Sequence, residues 1–257
     1  LGDVYKRQGT RSENVTVMED GILTAPAAYS SPAAYYSPNA ARMSGVEVLK
    51  GSSQVRFGPH TTGGVVNYLS TPFPLEHSMY LRSTYGANDT VETHGYYSDV
   101  QQGDFGRIGI LGEAYYRSSD GFRSIDAGGA YEGSGDTGFT LVEPMVKLFW
   151  EPSSSSYQRW DFKYGYSEFN ADETYVGLTE NDLLLTPHRR YAGTFLDNMY
   201  TEHHRSYLKY LAEPRDDLIL QVAGYYNEFS RDWYKIRKAG GQSIHKVLVD
   251  PVGHSES

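Results

Sequence analysis

From Pro74 onward the sequence is written in residues that alternate in character, and that period of two decides what the chain can become. Met79 to Gly86, Val91 to Val100, Phe105 to Arg117, Thr140 to Trp150, Tyr157 to Phe169, Tyr200 to Glu213 and Leu218 to Phe229 read as about seven strands. Several hold about ten residues or more, against about five or six in an ordinary soluble strand. A tilted strand needs about nine to eleven residues to cross the apolar layer of a membrane. In the fifth stretch Trp160, Phe162, Tyr164 and Tyr166 share one face, while Arg159, Asp161, Lys163 and Gly165 take the other. An apolar face on lipid and a polar face on a lumen produce this pattern, and so does a soluble sandwich with one wet face. The neighbours Tyr96 and Tyr97, Tyr115 and Tyr116, and Tyr225 and Tyr226 must split across the two faces, so at most one of each pair meets lipid.

The connections separate the two readings better. Short ones lie at Gly86 to Thr90, Gln101 to Asp104, Glu151 to Ser156 and Pro214 to Asp217, and long ones cover Ser118 to Phe139 and Asn170 to Met199. Short turns on one side with long loops on the other are the habit of outer-membrane barrels. No apolar run reaches the roughly 18 residues of a transmembrane helix, which leaves a barrel open.

The 257 residues carry a formal net charge of -9 and no cysteine. Disulfides and thiolate metal sites are thereby removed. A basic nucleic-acid surface is removed as well, since no zinc-finger spacing and no Lys/Arg block is present. His203 and His204 are adjacent in a strand and face opposite ways, while His60 and His188 stand apart, so no metal site is read. Nor is there a catalytic constellation of paired carboxylates. The opening LGDVYKRQ has no apolar core behind a basic start, so it is not a signal peptide. The chain is expected either to lack its native N-terminus or not to be exported.

Upstream of the strands, Arg42 to Pro74 reads RMSGVEVLKGSSQVRFGPHTTGGVVNYLSTPFP. GVEVLK and VVNYLS are β-like, and the Gly, Ser, Thr and Pro between them mark a folded unit and not a linker. Gly51, Gly58, Gly63 and Gly64 supply turns or close approaches, and without a GxxxxGK[ST] run they form no phosphate cradle. Glu47, in an apolar strand, calls for a partner: Arg56, an arginine outside the stretch, or backbone donors. Earlier still, Val15 and Val17 alternate as a short strand, Asp20-Gly21 signals a tight turn, and Asn39 to Met43 suits a short helical turn. Prolines between Pro26 and Pro38 stiffen a loop that carries Tyr29, Tyr35 and Tyr36, whose rings either pack on a neighbouring wall or form a ligand floor.

Val46-Glu47-Val48-Leu49-Lys50-Gly51, then Arg56-Phe57-Gly58-Pro59, then Gly63-Gly64-Val65-Val66-Asn67 resemble, in order, the second half of the plug domain of TonB-dependent outer-membrane receptors. Asn14 to Ala27 is similar to a run in the ferric citrate receptor branch, with Met18 where leucine is usual. Glu173 to Glu180, followed by Arg189-Arg190-Tyr191-Ala192, is similar to a loop of that branch, with Gly193-Thr194 in place of Ala-Ser.

The resemblance implies an all-β membrane protein, a partial plug domain followed by the first strands of a 22-stranded transmembrane β-barrel. Residues 1–74 are then the C-terminal part of the plug and residues 75–257 the N-terminal part of the barrel, with long extracellular loops near 118–139 and 170–199. It places the protein in the cell outer membrane as a transporter and not an enzyme. Uptake is powered by TonB with its inner-membrane ExbB–ExbD complex through a box expected upstream of Leu1. Ferric citrate is the first-ranked cargo, another siderophore or an oligosaccharide the alternative, and a soluble carbohydrate-binding β protein the alternative outside the family. Iron then arrives as a chelated substrate, with no cofactor, and the other partner is the lipid bilayer; no nucleic acid is involved.

Glu47, Gly51, Arg56, Gly58, Gly63, Gly64 and Asn67 become structural plug residues. Arg11, Tyr29, Tyr35, Tyr36, Arg123, Arg189 and Arg190 become substrate-binding candidates, because guanidinium groups grip carboxylates through paired hydrogen bonds. For Arg189 and Arg190 the plainer reading is a solvated pair balancing Glu180 and Asp182. Strands too few to close a barrel leave open edges in lipid, so this length alone is expected neither to transport nor to fold stably.

Overall fold

A computed structural model describes residues 14–24, 36–51, 63–128, 137–250 and 252–253. Arg11, Tyr29, Tyr35, Arg56 and Gly58 lie outside the described residues. The first part is a small sheet of β1 (Val15–Glu19), β2 (Ile22–Leu23), β3 (Met43–Leu49) and β4 (Gly64–Ser70), in the order β2-β1-β4-β3. β1 and β4 run parallel, and the other pairs are antiparallel. Asp20 and Gly21 take the left-handed conformation, φ 54° and 77°, which the two-residue β1–β2 turn requires. A single 3-10 turn, Ala40–Arg42, precedes β3, and the Asn39 side chain caps it by accepting from the Ala41 N–H.

The second part is a wall of long strands: β5 (Ser78–Gly86), β6 (Thr90–Gly103), β7 (Gly106–Ser119), β9 (Phe139–Glu151), β10 (Tyr157–Ala171), β12 (Asn198–Arg215) and β13 (Leu218–Tyr234), with β8 (Ser124–Ile125) and β11 (Arg189–Arg190) in the connections. The long strands form one seven-stranded antiparallel meander in chain order. The short helix α1 (Glu180–Leu185), the hairpin β14 (Lys238–Ala239) and β15 (Gln242–Ser243), and the helix α2 (Ile244–Val249) decorate one end. Among the described residues no helix is long and apolar enough to cross a membrane.

The sidedness of the wall is inverted relative to a water-soluble sheet. Along β7 and β9, Leu111, Glu113, Tyr115, Glu143, Met145, Lys147 and Phe149 are buried, while Ile108, Ile110, Tyr116, Leu148 and Trp150 between them are exposed. On β10 the contrast is 36% exposure for Phe162 against 3% for Lys163. Large apolar groups outside and charges inside suit lipid on one face and a plugged lumen on the other. The small sheet lies against the inner face, where Lys163 reaches it.

Strand parity corrects one expectation. The tight Gly86 to Thr90 connection does not share a side with the other short turns. Its Asn88 carbonyl accepts from the Asp120 N–H at 3.0 Å, so it stands at the same end as the long 118–139 connection. Loop length does not determine the end; the number of strands crossed does. The ends are called here the loop end, with 87–89, 120–128, 137–138 and 172–197, and the turn end, with 104–105, 152–156 and 216–217.

Candidate functional site

Where the small sheet meets the wall, the charges of both are buried against each other. Arg42, the last residue of the 3-10 turn, is 2% exposed. Its Nε donates to Glu143 Oε2 at 3.3 Å, and its terminal nitrogens donate to the Glu19 carboxylate at 3.2 to 3.3 Å. Glu113 on β7 approaches it at 4.0 Å. The Tyr36 hydroxyl joins this group, accepting from Arg42 at 2.8 Å and donating to Glu143 at 3.0 Å. Burial, foremost, raises the Tyr36 hydroxyl well above the ordinary phenol range, so it stays a neutral donor. Burial also pushes the Glu19 carboxyl upward, but Lys163, Arg42 and Arg205 outweigh it and hold the group ionised, well below the usual carboxylate range.

A second cluster adjoins the first. Lys163 Nζ donates to Glu19 and to Asp20, each at 2.6 Å, and to the Ser70 hydroxyl at 3.0 Å. Lys147 donates to the Thr71 carbonyl at 2.7 Å and stands 3.6 Å from Asp20, while Lys209 donates to the Asp20 carbonyl at 2.6 Å. Asp20 is held in place by the Ser70 N–H and hydroxyl at 2.9 and 2.5 Å. Its carboxyl, too, is pushed upward by burial and pulled below its ordinary range by Lys163 and Lys147.

Of the described structural plug candidates, Asn67 and Glu47 fall beside these clusters. Asn67 accepts from the Gly21 N–H at 2.8 Å and donates to Glu47 at 2.9 Å. Glu47 is exposed and is served by an amide where the sequence suggested an arginine or a backbone donor; its strand lies at the edge of the small sheet and not in the core. Gly63 donates its N–H to the Asn14 carbonyl, Gly64 has φ +119°, and Gly51 has φ +78°. The buried arginine of this region is Arg42, which the sequence did not single out.

Above the charges, toward the loop end, lies a cavity of about 520 Å³ lined by Tyr36, Glu143, Phe169, Met199, Arg231 and Trp233 among others. Lys235 lies 3.2 Å from the centroid of the Trp233 ring and 3.9 Å from that of Tyr175. Asp197 ties the neighbouring loops by accepting from the Tyr175 and Ile236 N–H groups at 3.1 and 2.9 Å. Of the substrate-binding candidates, Tyr36 lines this cavity.

The arginine candidates gather in the loops. β8 and β11 pair in parallel, joining the two long connections. Arg189 is committed there, with Nε on Asp126 at 2.6 Å and Nη1 on Asp182 at 3.1 Å. Arg190 donates to the carbonyls of Pro187 and Arg189. Burial and the neighbouring Arg123 charge lower its proton affinity below the ordinary arginine value. Arg123 stacks over Phe122 at 4.9 Å, and its buried Nε has no hydrogen-bond partner among the described residues. Two guanidinium groups are thus neighbours, and repulsion between them adds to the effect of burial on Arg190.

Glu19, Arg42, Glu113, Glu143, Lys147 and Lys163 were not read as site residues from the sequence. The signal available for the wall members was a charge on the inward step of an otherwise apolar strand. Among the described residues no group of three or more His, Asp or Glu is placed to hold a metal ion.

Residues 2–65 match the family described as TonB-dependent Receptor Plug Domain. No curated protein sequence matches the chain. Among solved structures it is similar to the ferric citrate transporter FecA in its unliganded form, with a TM-score of 0.64 and 18% identity over 87% of this chain and 32% of that one. It is similar to the siderophore receptor PiuA from Acinetobacter baumannii, with a TM-score of 0.64 and 15% identity over 88% and 30%. It is also similar to a mutant ferric enterobactin receptor, PfeA, from Pseudomonas aeruginosa, with a TM-score of 0.55 and 16% identity over 93% and 36%. The chain spans about a third of the length of these structures. At such identities what is shared is the fold, a small sheet seated against the inner face of an antiparallel wall.

Proposed function

We propose that this chain, a TonB-dependent outer-membrane receptor by its plug and its fold, belongs to a transporter that takes up an anionic ferric chelate, with ferric citrate as the first cargo. In this reading residues 1–74 belong to the plug and residues 75–257 to the barrel, and the loop end faces outward. It is a transporter and not an enzyme, lodged in the outer-membrane bilayer and energised by TonB with ExbB–ExbD. Iron enters as part of the chelate.

The observation that carries the reading is the Arg42 cluster, which seats the plug in the wall directly beneath a cavity and shares Tyr36 with it. Transport against a closed plug needs cargo on the outside to bias the plug, through contacts that differ between two states. Tyr36 is placed to carry that coupling, since it lines the cavity and its hydroxyl bonds both Arg42 and Glu143. Arg123 and Arg190 support an anionic cargo: they are neighbours, and Arg123 Nε has no hydrogen-bond partner among the described residues. A chelate bearing aryl groups is the second reading, favoured by Phe169, Trp233 and Tyr36 in the cavity lining.

The test is uptake of radiolabelled ferric citrate by the full-length receptor in cells lacking their own, with and without TonB. TonB-dependent uptake that falls when Arg123 and Arg190 become alanine supports the reading. Correct insertion without uptake, together with competition by an aryl chelate, transfers the cargo to the second reading.

A further inference from the structure

Three lysines and an arginine of the wall gather on its inner face, around Glu19 and Asp20 of the small sheet. Lys147 and Lys163 are direct cross-strand partners on β9 and β10, both on the inward face. Lys209 on β12 lies one strand further, with the Tyr207 ring 4.4 Å from its Nζ and 5.8 Å from that of Lys163. Arg205 completes the belt, its Nε 3.9 Å from Glu19. Like charges directly opposite each other destabilise a sheet. Yet the polar partners of the three lysines are all plug atoms: Glu19, Asp20, Ser70 and Thr71. Asp161, the nearby wall acid, is held by Arg159 at 2.7 Å. The hydrogen bonds of the three lysines therefore end on the small sheet, with Asp161, directly opposite Lys209, as the nearest carboxylate of the wall itself.

The position of the belt adds a second observation. It lies on the turn-end side of the Phe169 and Met199 cavity, about 20 Å along the strand from Phe169 to Lys163 at strand rise. Lys147, Lys209 and Asp161 also line a separate cavity of about 460 Å³, with Glu47, Asn67 and Phe73 on its plug side. The belt thus separates a loop-end cavity from a second one, and what covers it between them is the β1–β2 turn.

We propose that Lys147, Lys163 and Lys209 form a transit site for carboxylates on the inner wall, occupied at rest by the plug's Glu19 and Asp20 and taken over by the anionic chelate once that turn leaves. The inference rests on the reading of the chain as plug and transporter wall. Exchange of one pair of carboxylates for another leaves the lysines compensated in both states, so opening does not strand buried charge. A belt serving as a fastener alone would also draw small anions into an opened pore, so binding of a carboxylate at the lysines is what separates the two roles.

The test is the ion selectivity of the full-length receptor in planar lipid bilayers, with the plug loosened by urea and a potassium chloride gradient across the membrane. The parent is expected to prefer chloride, and K147Q/K163Q/K209Q to lower the chloride-to-potassium permeability ratio by about threefold or more. The triple arginine variant, which keeps the charge but not the lysine geometry, should retain the preference. Citrate should block the parent current and spare the glutamine variant. If the triple glutamine variant does not assemble, K147Q/K209Q leaves Lys163 on Glu19 and should show a smaller fall in the same direction. A parent current that citrate does not block, equal ratios in parent and glutamine variants, or an arginine variant that behaves like glutamine each overturn the proposal. Anion preference without uptake of labelled ferric citrate supports the belt and removes the cargo reading.

Discussion

Arg42 and Glu143 are 101 residues apart in sequence, and the Arg42 Nε lies 3.3 Å from the Glu143 carboxylate. That bond crosses from plug to wall with both side chains 1% exposed, so neither charge has water to fall back on. Removing one partner of a buried pair costs about 3–5 kcal/mol, because the other is left uncompensated. Arg42→Ala strands Glu143 and costs Glu19 one of its cations, and it is expected to loosen the plug. The measurement is the urea concentration that opens conductance in reconstituted receptor, which should drop sharply for Arg42→Ala. Arg42→Lys keeps the charge but cannot reach Glu19, Glu143 and Tyr36 with one fork, so an intermediate threshold is expected.

The plug carboxylates set how this fastening responds to acid. Glu19 and Asp20 both have depressed proton affinity in the folded protein, from ordinary values of 4.5 and 3.8. A depressed group contributes stability that is present above its ordinary value and is lost as pH falls through its folded value. The urea threshold should therefore be flat from about pH 7 to pH 5 and decline only below about pH 4. Asp20→Asn should lower the flat part and weaken the acid decline. A threshold that already falls between pH 7 and pH 5 would mean that Glu19 and Asp20 do not govern the acid response.

The wall was legible because membrane strands write their sidedness into adjacent residues. Phe162 and Lys163 differ in the sequence as they differ in the structure. Strand ends ran longer than their apolar signal: β13 continues through Ser230 to Tyr234 and β12 begins at Asn198, since ladder hydrogen bonds use backbone and tolerate polar side chains beyond the lipid layer. The small sheet was legible through its turns, as at Asp20-Gly21. Arg42 was not, because it stands at the seam of a 3-10 turn and a strand, where no period marks it. Its partners Glu19, Glu113 and Glu143 depend on how plug and wall are docked, a relation no local pattern contains. Helix α1 was missed for its shortness, although Thr179 caps it by accepting from the Asp182 N–H.

Arg189 and Arg190 are neighbours in sequence and should part in function. Arg189 spans Asp126 and Asp182 with 40% of its side chain exposed, so its loss costs about 0.2–1 kcal/mol after solvent screening. Arg189→Ala should accordingly quicken amide exchange along 124–126 and 188–190 while leaving the affinity for ferric citrate within about twofold. Arg190→Ala should weaken that affinity about tenfold or more, the scale of one charge-assisted contact. Equal losses in titrations of the two variants would return Arg189 to the ligand.

The outward face of the wall can be tested independently of any cargo. Phe162, on β10, is exposed where its neighbour Lys163 is buried against the plug, an order that is stable in lipid and costly in water. An arginine on the lipid face of a barrel near mid-membrane costs about 2–4 kcal/mol and falls toward zero near the interfaces. Phe162→Arg should therefore destabilise the full-length receptor in lipid vesicles by about that amount, and Gln158→Arg, on the same face of β10 but beside the 152–156 turn, by about 1 kcal/mol or less. Urea unfolding in vesicles reads both. Equal, small effects at the two positions would mean that β10 does not face lipid, and the soluble-sandwich reading of its alternation would then stand.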